Sequence, residues 1–206
     1  MNTNPIFYIP GRRSYTAALT RFLAELLPAV DHTRPLIILC IGTTQVQGDR
    51  LGPLVGTLLE EKLKKADRLL PVHIFGTEEQ AVHALNLPVI LRAISRDFPG
   101  APILAVDAAI AVGHRPGCIT VGLGPLLPGA GLSKQLPAAG DLHITGTVSR
   151  SGALGYFFLK HTPRRKVCLL ADIISDGIWN ALLCAPARTC AALPAPLPPW
   201  DTERSG

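Results

Sequence analysis

Two acids carry the chemistry that this sequence can offer. Asp49 closes the loop Gly42-Thr43-Thr44-Gln45-Val46-Gln47-Gly48, and Asp107 follows the apolar run Ile103–Val106. Each lies just beyond a candidate strand, and in an open parallel sheet sites form outside the carboxyl ends of the strands. Two carboxylates close together in a partly dry cleft do not both ionise easily; one keeps a proton and the other can polarise a water. That is the minimum equipment for acid–base attack on an amide carbonyl. Each acid also has a plainer reading. Asp49 could cap the helix that follows, and Asp107 could bond loop amides. Pro53 favours a first helical position, which makes Gly52 the competing cap and leaves Asp49 in the loop.

Other polar and glycine residues could line such a cleft. Gly42, Thr43 and Gly48 belong to the Asp49 loop. His83 and Asn86 are one turn apart on the same side of an expected helix, where they would border the site or simply face solvent. Gly129 and Gly131 fall in a long Gly/Pro-rich loop and serve its backbone geometry. His143, between Asp141 and Thr145, reads as a hydrogen-bonded structural histidine or as a proton carrier in the cleft. The commoner signatures are missing. The Gly42–Asp49 loop has no Lys after its second Gly and the wrong spacing for a P-loop. The sequence contains no G-x-G-x-x-G after the first strand, no G-x-S-x-G elbow and no H-E-x-x-H.

The elements that must position these residues alternate between strand and helix. Leu19, Phe22, Leu23, Leu26 and Leu27 recur at helical spacing and predict a helix over Arg12–Leu27 ended by Pro28. Leu36–Ile41 is a short apolar run, a buried strand. Leu51–Lys65 reads as an amphipathic helix, with Glu60–Lys64 and Glu61–Lys65 pairs on its polar side. Leu70–Gly76 reads as a second strand. Thr77 with Gln80 suggests a capping box for a helix running to about Phe98, interrupted or kinked at Pro88. Ile103–Val106 is a third strand ending at Asp107. Strands over Cys118–Gly122 and His143–Val148 flank an irregular loop, Gly124–Gly140. Helices at about Ala153–His161 and Cys168–Leu183 follow. The strand–helix alternation implies right-handed crossovers and an α/β, three-layer fold with a mostly parallel central sheet and helices on both faces.

Composition bounds the rest. The chain has 206 residues, 48% of them hydrophobic, which suits one domain with tails. The expected division is a 1–34 N-terminal segment with one helix, a 35–184 α/β domain, and a 185–206 Pro/Ala-rich disordered tail carrying five prolines between Pro186 and Pro199. No uninterrupted apolar stretch suits a membrane span, and no secretory signal pattern opens the chain, so a cytoplasmic protein is expected. The five cysteines include no C-x-x-C, so neither a zinc site nor a redox pair is expected, and Cys40 reads as a buried small hydrophobe. The formal charge of +5 comes from short clusters without interleaved aromatics, so nucleic-acid binding is not expected.

At these residues the chain resembles a known family. Cys40-Ile41-Gly42-Thr43 with Gly48-Asp49-Arg50-Leu51-Gly52-Pro53-Leu54-Val55-Gly56 is similar to the first signature of the sporulation YyaC (DUF1256) family. Gly76-Thr77 with Ala81–Leu87, Ala105-Val106-Asp107-Ala108, Gly124-Pro125-Leu126 with Pro128–Gly131 and Leu136-Pro137, Gly140–Gly146, and Ala171-Asp172-Ile173-Ile174 with Gly177-Ile178 resemble the later ones. The matches run in order from about Ile37 to Leu182. The resemblance implies kinship with the spore germination protease and the hydrogenase maturation endopeptidases, and a phosphorylase/hydrolase-like α/β fold of the hydrogenase-maturation-protease type around a mostly parallel sheet. It implies Asp49 as the loop acid and Asp107 as the strand-end acid of an acid-pair peptidase. The nickel-reading histidine of the maturation enzymes does not transfer cleanly, since His143 precedes its position by several residues. The expected function is a sporulation-associated endopeptidase with no cofactor or metal, acting on peptide or protein substrates such as spore proteins. The alternatives are a catalytically inactive peptide-binding or assembly protein and, more weakly, metal-assisted chemistry at the acid pair. A homo-oligomer is left open.

Overall fold

The computed structural model describes residues 6–7, 12–67, 69–111, 116–129, 136–150 and 154–184. In chain order the elements are β1 (Ile6–Phe7), α1 (Arg12–Leu26), β2 (Leu36–Cys40), α2 (Leu51–Lys64), β3 (Val72–Phe75), α3 (Leu87–Asp97), β4 (Ile103–Ala111), β5 (Ile119–Leu123), β6 (Leu142–Arg150), α4 (Gly155–Lys160) and α5 (Arg164–Cys184). The strands form one six-stranded sheet in the order β1-β5-β6-β4-β2-β3. β3, β2, β4 and β6 run parallel, while β5 is antiparallel to β6 and β1 antiparallel to β5. The fold is therefore α/β with a mostly parallel sheet between helical layers.

Every residue of β2 is buried, as a central parallel strand requires. Its alternate side chains feed two cores. Leu36, Ile38 and Cys40 meet α1, α2 and α5; Ile37, Leu39 and Ile41 meet α3 together with Leu126 and Ala139. Burying each Leu or Ile contributes about 1.5–3 kcal/mol. Cys40 is fully buried, and burial pushes its thiol far up, so it packs as a hydrophobe. α5 is long and apolar enough by length and composition to cross a membrane. Its stripe Val167, Leu170, Ile173, Ile174, Ile178 and Leu182 is buried within the domain, as a core helix requires. α1 crosses α5 at Gly177, where an added Cβ would stand 2.5 Å from Leu19 Cδ2.

An ion pair joins α2 to α5, with Lys62 Nζ 2.9 Å from Asp176 Oδ1. Both side chains are about a third exposed, so solvent screens the pair. A double-mutant cycle with Lys62→Ala and Asp176→Ala, read by urea unfolding, is expected to give a coupling of about 0.5 kcal/mol. A coupling several times larger would show that the pair is far better shielded than its exposure indicates.

The structure corrects several expectations. The segment after β3 is not helical until Leu87. Thr77 and Gln80 bond each other across a turn, Gln80 N–H to Thr77 Oγ1 at 3.1 Å and Thr77 N–H to Gln80 O at 3.2 Å. The chain is then drawn across the end of β2, where Val82 bridges Ile41 and accepts the Gly42 N–H at 2.8 Å. That non-local pairing outweighs local helix propensity. Pro88 does not interrupt a helix; it sits in the first turn of α3, where a missing N–H costs nothing. β4 does not stop at Asp107 but continues to Ala111, paired with β6 as far as Arg150. α2 starts at Leu51 with Arg50 as its cap residue, so Gly52 lies inside the first turn rather than before it. α5 begins four residues before Cys168, at Arg164. The expected tail, 185–206, lies outside the described residues.

Candidate active site

The site lies where β2 stops and β4 continues. In the parallel ladder Cys40 pairs with Val106, and Asp107 is the first β4 residue beyond that pair. On its other side Asp107 pairs with Thr145 of β6. The chain leaving β2 turns at once, through Gly42 at φ +148°, into the loop that carries Asp49. This turn admits only glycine: an added Cβ would stand 2.0 Å from the Asp49 carbonyl oxygen. The start of α2 is equally close to the strand end, since a Cβ on Gly52 would stand 2.0 Å from Ile41 O. The tight approach holds the Asp49 backbone over the end of β2.

Both acids are held by backbone amides. Thr43 N–H donates to Asp49 Oδ2 at 3.0 Å. Ala108 N–H donates to Asp107 Oδ1 at 2.7 Å. Asp107 is 7% exposed. Burial holds its carboxyl well above the usual carboxylate range, the Asp49 charge adds to the rise, and the Ala108 amide opposes it. The surroundings of Asp107 therefore favour its protonated form.

The two aspartates line the same cleft. One lobe, about 180 Å³, is walled by Asp49, Asp107, Ala109, Ile110, Leu126 and Thr145. A second, about 340 Å³, shares both acids and extends over Gly42, Thr43, His83 and Tyr156. Gly129 lines both. Several candidates thus come together: Asp49, Asp107, Gly42, Thr43, His83, Gly129 and Thr145.

The remaining candidates stand apart. Gly48 is buried against α4, its N–H donating to Leu159 O at 2.9 Å. His143 is 6% exposed and its Nδ1 lies 3.0 Å from Gly124 O, which places the ring proton on Nδ1. It is not part of either lobe's lining. His83 and Asn86 share a turn rather than a helical face. Asn86 Oδ1 accepts the His83 N–H at 2.7 Å and its Nδ2 donates to Ala81 O at 2.9 Å, so Asn86 fixes the turn that presents His83. Leu85 N–H donates to His83 Nδ1 at 3.3 Å, which leaves Nε2 to carry the proton of the neutral ring. Gly131 lies outside the described residues. Among the described residues no three His, Cys, Asp or Glu side chains group closely enough to hold a metal ion.

Sequence reasoning missed the apolar part of the cleft. Leu126 and Leu127 come from the loop after β5, Leu85 from the loop after β3, and Tyr156 and Leu159 from α4. Leu85, Leu127 and Tyr156 are 88%, 63% and 54% exposed. Their exposure was the missing signal, and no local pattern encodes it.

A family model and a curated relative place the chain in one family. A family model described as a protein of unknown function (DUF1256) matches residues 12–177. The uncharacterized protein YyaC of Bacillus subtilis (strain 168) is 38% identical over 145 residues, covering 70% of this chain and 68% of that protein. Among solved structures, the NiFe hydrogenase maturation protease HycI from Thermococcus kodakarensis KOD1 aligns with a TM-score of 0.37 and 19% identity, over 68% of this chain and 92% of that one. At that score the likeness carries no argument about activity.

Proposed function

Taking as premise that the chain belongs to the DUF1256 family, we propose that it is a peptide-bond hydrolase in which Asp49 and Asp107 act as a pair. One observation carries the reading: a buried carboxyl, whose protonated form is favoured by burial and by a second carboxylate, opens onto the same cleft as that second carboxylate. A strongly perturbed acid with a specific charge partner in a cleft is a functional-site candidate. Asp49 takes a proton from water as the water oxygen attacks the peptide carbonyl carbon. Asp107 donates its proton to the carbonyl oxygen. When the tetrahedral intermediate collapses, Asp49 passes its proton to the departing nitrogen and Asp107 recovers its own from the hydroxyl. One water is consumed and both acids return to their starting states.

The sign of the pH dependence follows. Turnover needs Asp107 protonated, so the rate falls as pH rises through its raised pKa. It also falls in acid, where the Asp49 base gains a proton. The expected kcat/KM profile is a bell with its alkaline limb well above the ordinary carboxylate range. An alkaline limb that falls inside the ordinary carboxylate range would remove Asp107 as the acid.

The substrates proposed are spore proteins, and the place of action the interior of the sporulating cell or spore; the signature motifs support both. The direct test is mass spectrometry of small acid-soluble spore proteins incubated with wild type, Asp49→Asn and Asp107→Asn. Defined fragments from wild type alone support the hydrolase. The exposed apolar rim also suits a second reading, a peptide-binding protein without turnover. Peptide capture by all three proteins, with no fragments from any, would favour it.

A further inference from the structure

β4 has an open edge inside the sheet. Ile37 N–H donates to Pro102 O at 2.9 Å and Ile41 N–H to Val106 O at 2.7 Å, so the even-numbered residues of β4 present their backbone groups towards β2. β2 ends at Cys40, while β4 runs on to Ala111. By the alternation of a strand the same edge next presents Ala108, and Ile110 follows it beyond a register shift against β6 between Ala109 and Ile110. No strand pairs with it there among the described residues. The Ala108 N–H is taken by Asp107 Oδ1 at 2.7 Å. The carbonyl of Ala108 and the backbone of Ile110 follow it, and both residues line the lobe that holds the acid pair.

We infer that the substrate docks as an added strand on this edge of β4, beside the Asp49 loop that covers the end of β2, with apolar side chains flanking the bond presented to Asp49 and Asp107. The inference rests on the peptidase reading above and names its binding mode and substrate class. An extended peptide satisfies a free strand edge with main-chain hydrogen bonds and places alternate side chains in pockets. The pockets here are apolar. Leu126 and Leu159 are buried at 8% and 3%, while Leu127, Leu85 and Tyr156 stand open at the mouth. Large exposed apolar side chains converging from three separate segments mark a binding surface rather than scattered exposure. Among the described lining residues Asp49 is the acid that the mechanism leaves ionised, so acidic side chains beside the scissile bond meet repulsion and apolar ones meet complementary walls.

The test measures binding, so that it stands apart from turnover. Asp107→Asn keeps an acceptor for the Ala108 N–H and does not cut. Fluorescein-labelled decapeptides from a positional library are titrated against it by anisotropy, and the best binder is then scanned by backbone N-methylation. Methylation is expected to weaken binding about tenfold at alternate positions and little between them, because only alternate N–H groups face the edge. Glu beside the central bond is expected to cost about tenfold, and Leu127→Ser about tenfold for apolar peptides alone. Leu127 is exposed, so this variant folds; Leu85→Ser, at a still more exposed position, repeats the measurement on the other lobe. Methylation effects without a period of two, indifference to Leu127→Ser and Leu85→Ser, or no binding by any peptide would overturn the inference. So would a dimer of the free protein that bound peptide does not dissociate, since the edge would then belong to a second copy. Periodic, apolar-selective binding with no cleavage by wild type would uphold the docking mode and sink the hydrolase.

Discussion

Asp107→Asn is expected to lower kcat/KM for peptide cleavage by about a thousandfold, within the range that general acid–base groups contribute. The substitution leaves the shape and the Ala108 amide bond in place and removes only the transferable proton. Asp49→Asn is expected to cost as much, and the double variant little more, because the two groups act as one unit. The same substitution has an opposite effect on stability. The folded-state pKa of Asp107 lies above its unfolded value, so the unfolded chain releases this proton first as pH rises. Stability is intact below the unfolded carboxylate range and is lost as pH rises towards and through the folded pKa. Asp107→Asn therefore matches wild type in acid and exceeds it in Tm at neutral pH, with the gap widening as pH rises. Equal Tm values at neutral pH, or undiminished cleavage, would show that Asp107 is not the buried acid the mechanism requires.

Gly42→Ala is expected to cost about 3 kcal/mol or more of stability, at the severe end for single substitutions. Two penalties combine. The residue has φ +148°, and its new methyl would stand 2.0 Å from the Asp49 carbonyl oxygen. That atom is backbone and does not swing aside as a side-chain tip would. Gly100→Ala provides the comparison. It also has a positive φ, +70°, but nothing lies within 4 Å of an added Cβ. Its cost is the backbone term alone, about 1–2 kcal/mol. Urea midpoints of the two variants separate steric collision from backbone strain. Gly42→Ala also shifts the loop that brings Thr43 N–H to Asp49 Oδ2, so residual folded protein should cleave poorly while Gly100→Ala retains activity. Equal destabilisation by both would mean that the loop relaxes around the methyl.

Much of this arrangement was legible because it is written locally. The apolar run ending at Cys40, the helical spacing of Leu51, Val55 and Leu59, and the glycines of the loop place Asp49 after a strand and before a helix without reference to the rest of the chain. The failures have non-local causes. The stretch from Thr77 to Asn86 carries helix-compatible residues, yet Val82 is held by Ile41 and the Gly42 amide. The β4 extension, Asp107-Ala108-Ala109-Ile110-Ala111, has small residues and no alternation, and its strand character comes from pairing with β6. The cleft walls are harder still. Leu159 reaches the Asp49 loop through the amide of Gly48, more than a hundred residues earlier in the chain, and nothing near either residue announces the other.

The step between β2 and β4 also sets what kind of object can approach the acids. Neighbouring strands in a sheet lie about 4.8 Å apart, so a partner on the free edge of β4 must be one extended chain wide. A helix, about 10 Å across, is too thick for it, and a complete sheet brings its own neighbours along. Only a segment already released from its fold, or never folded, fits. Under the proposed hydrolase reading, such an opening would test the conformational state of a protein substrate before any side chain is read and would spare intact neighbours by geometry alone.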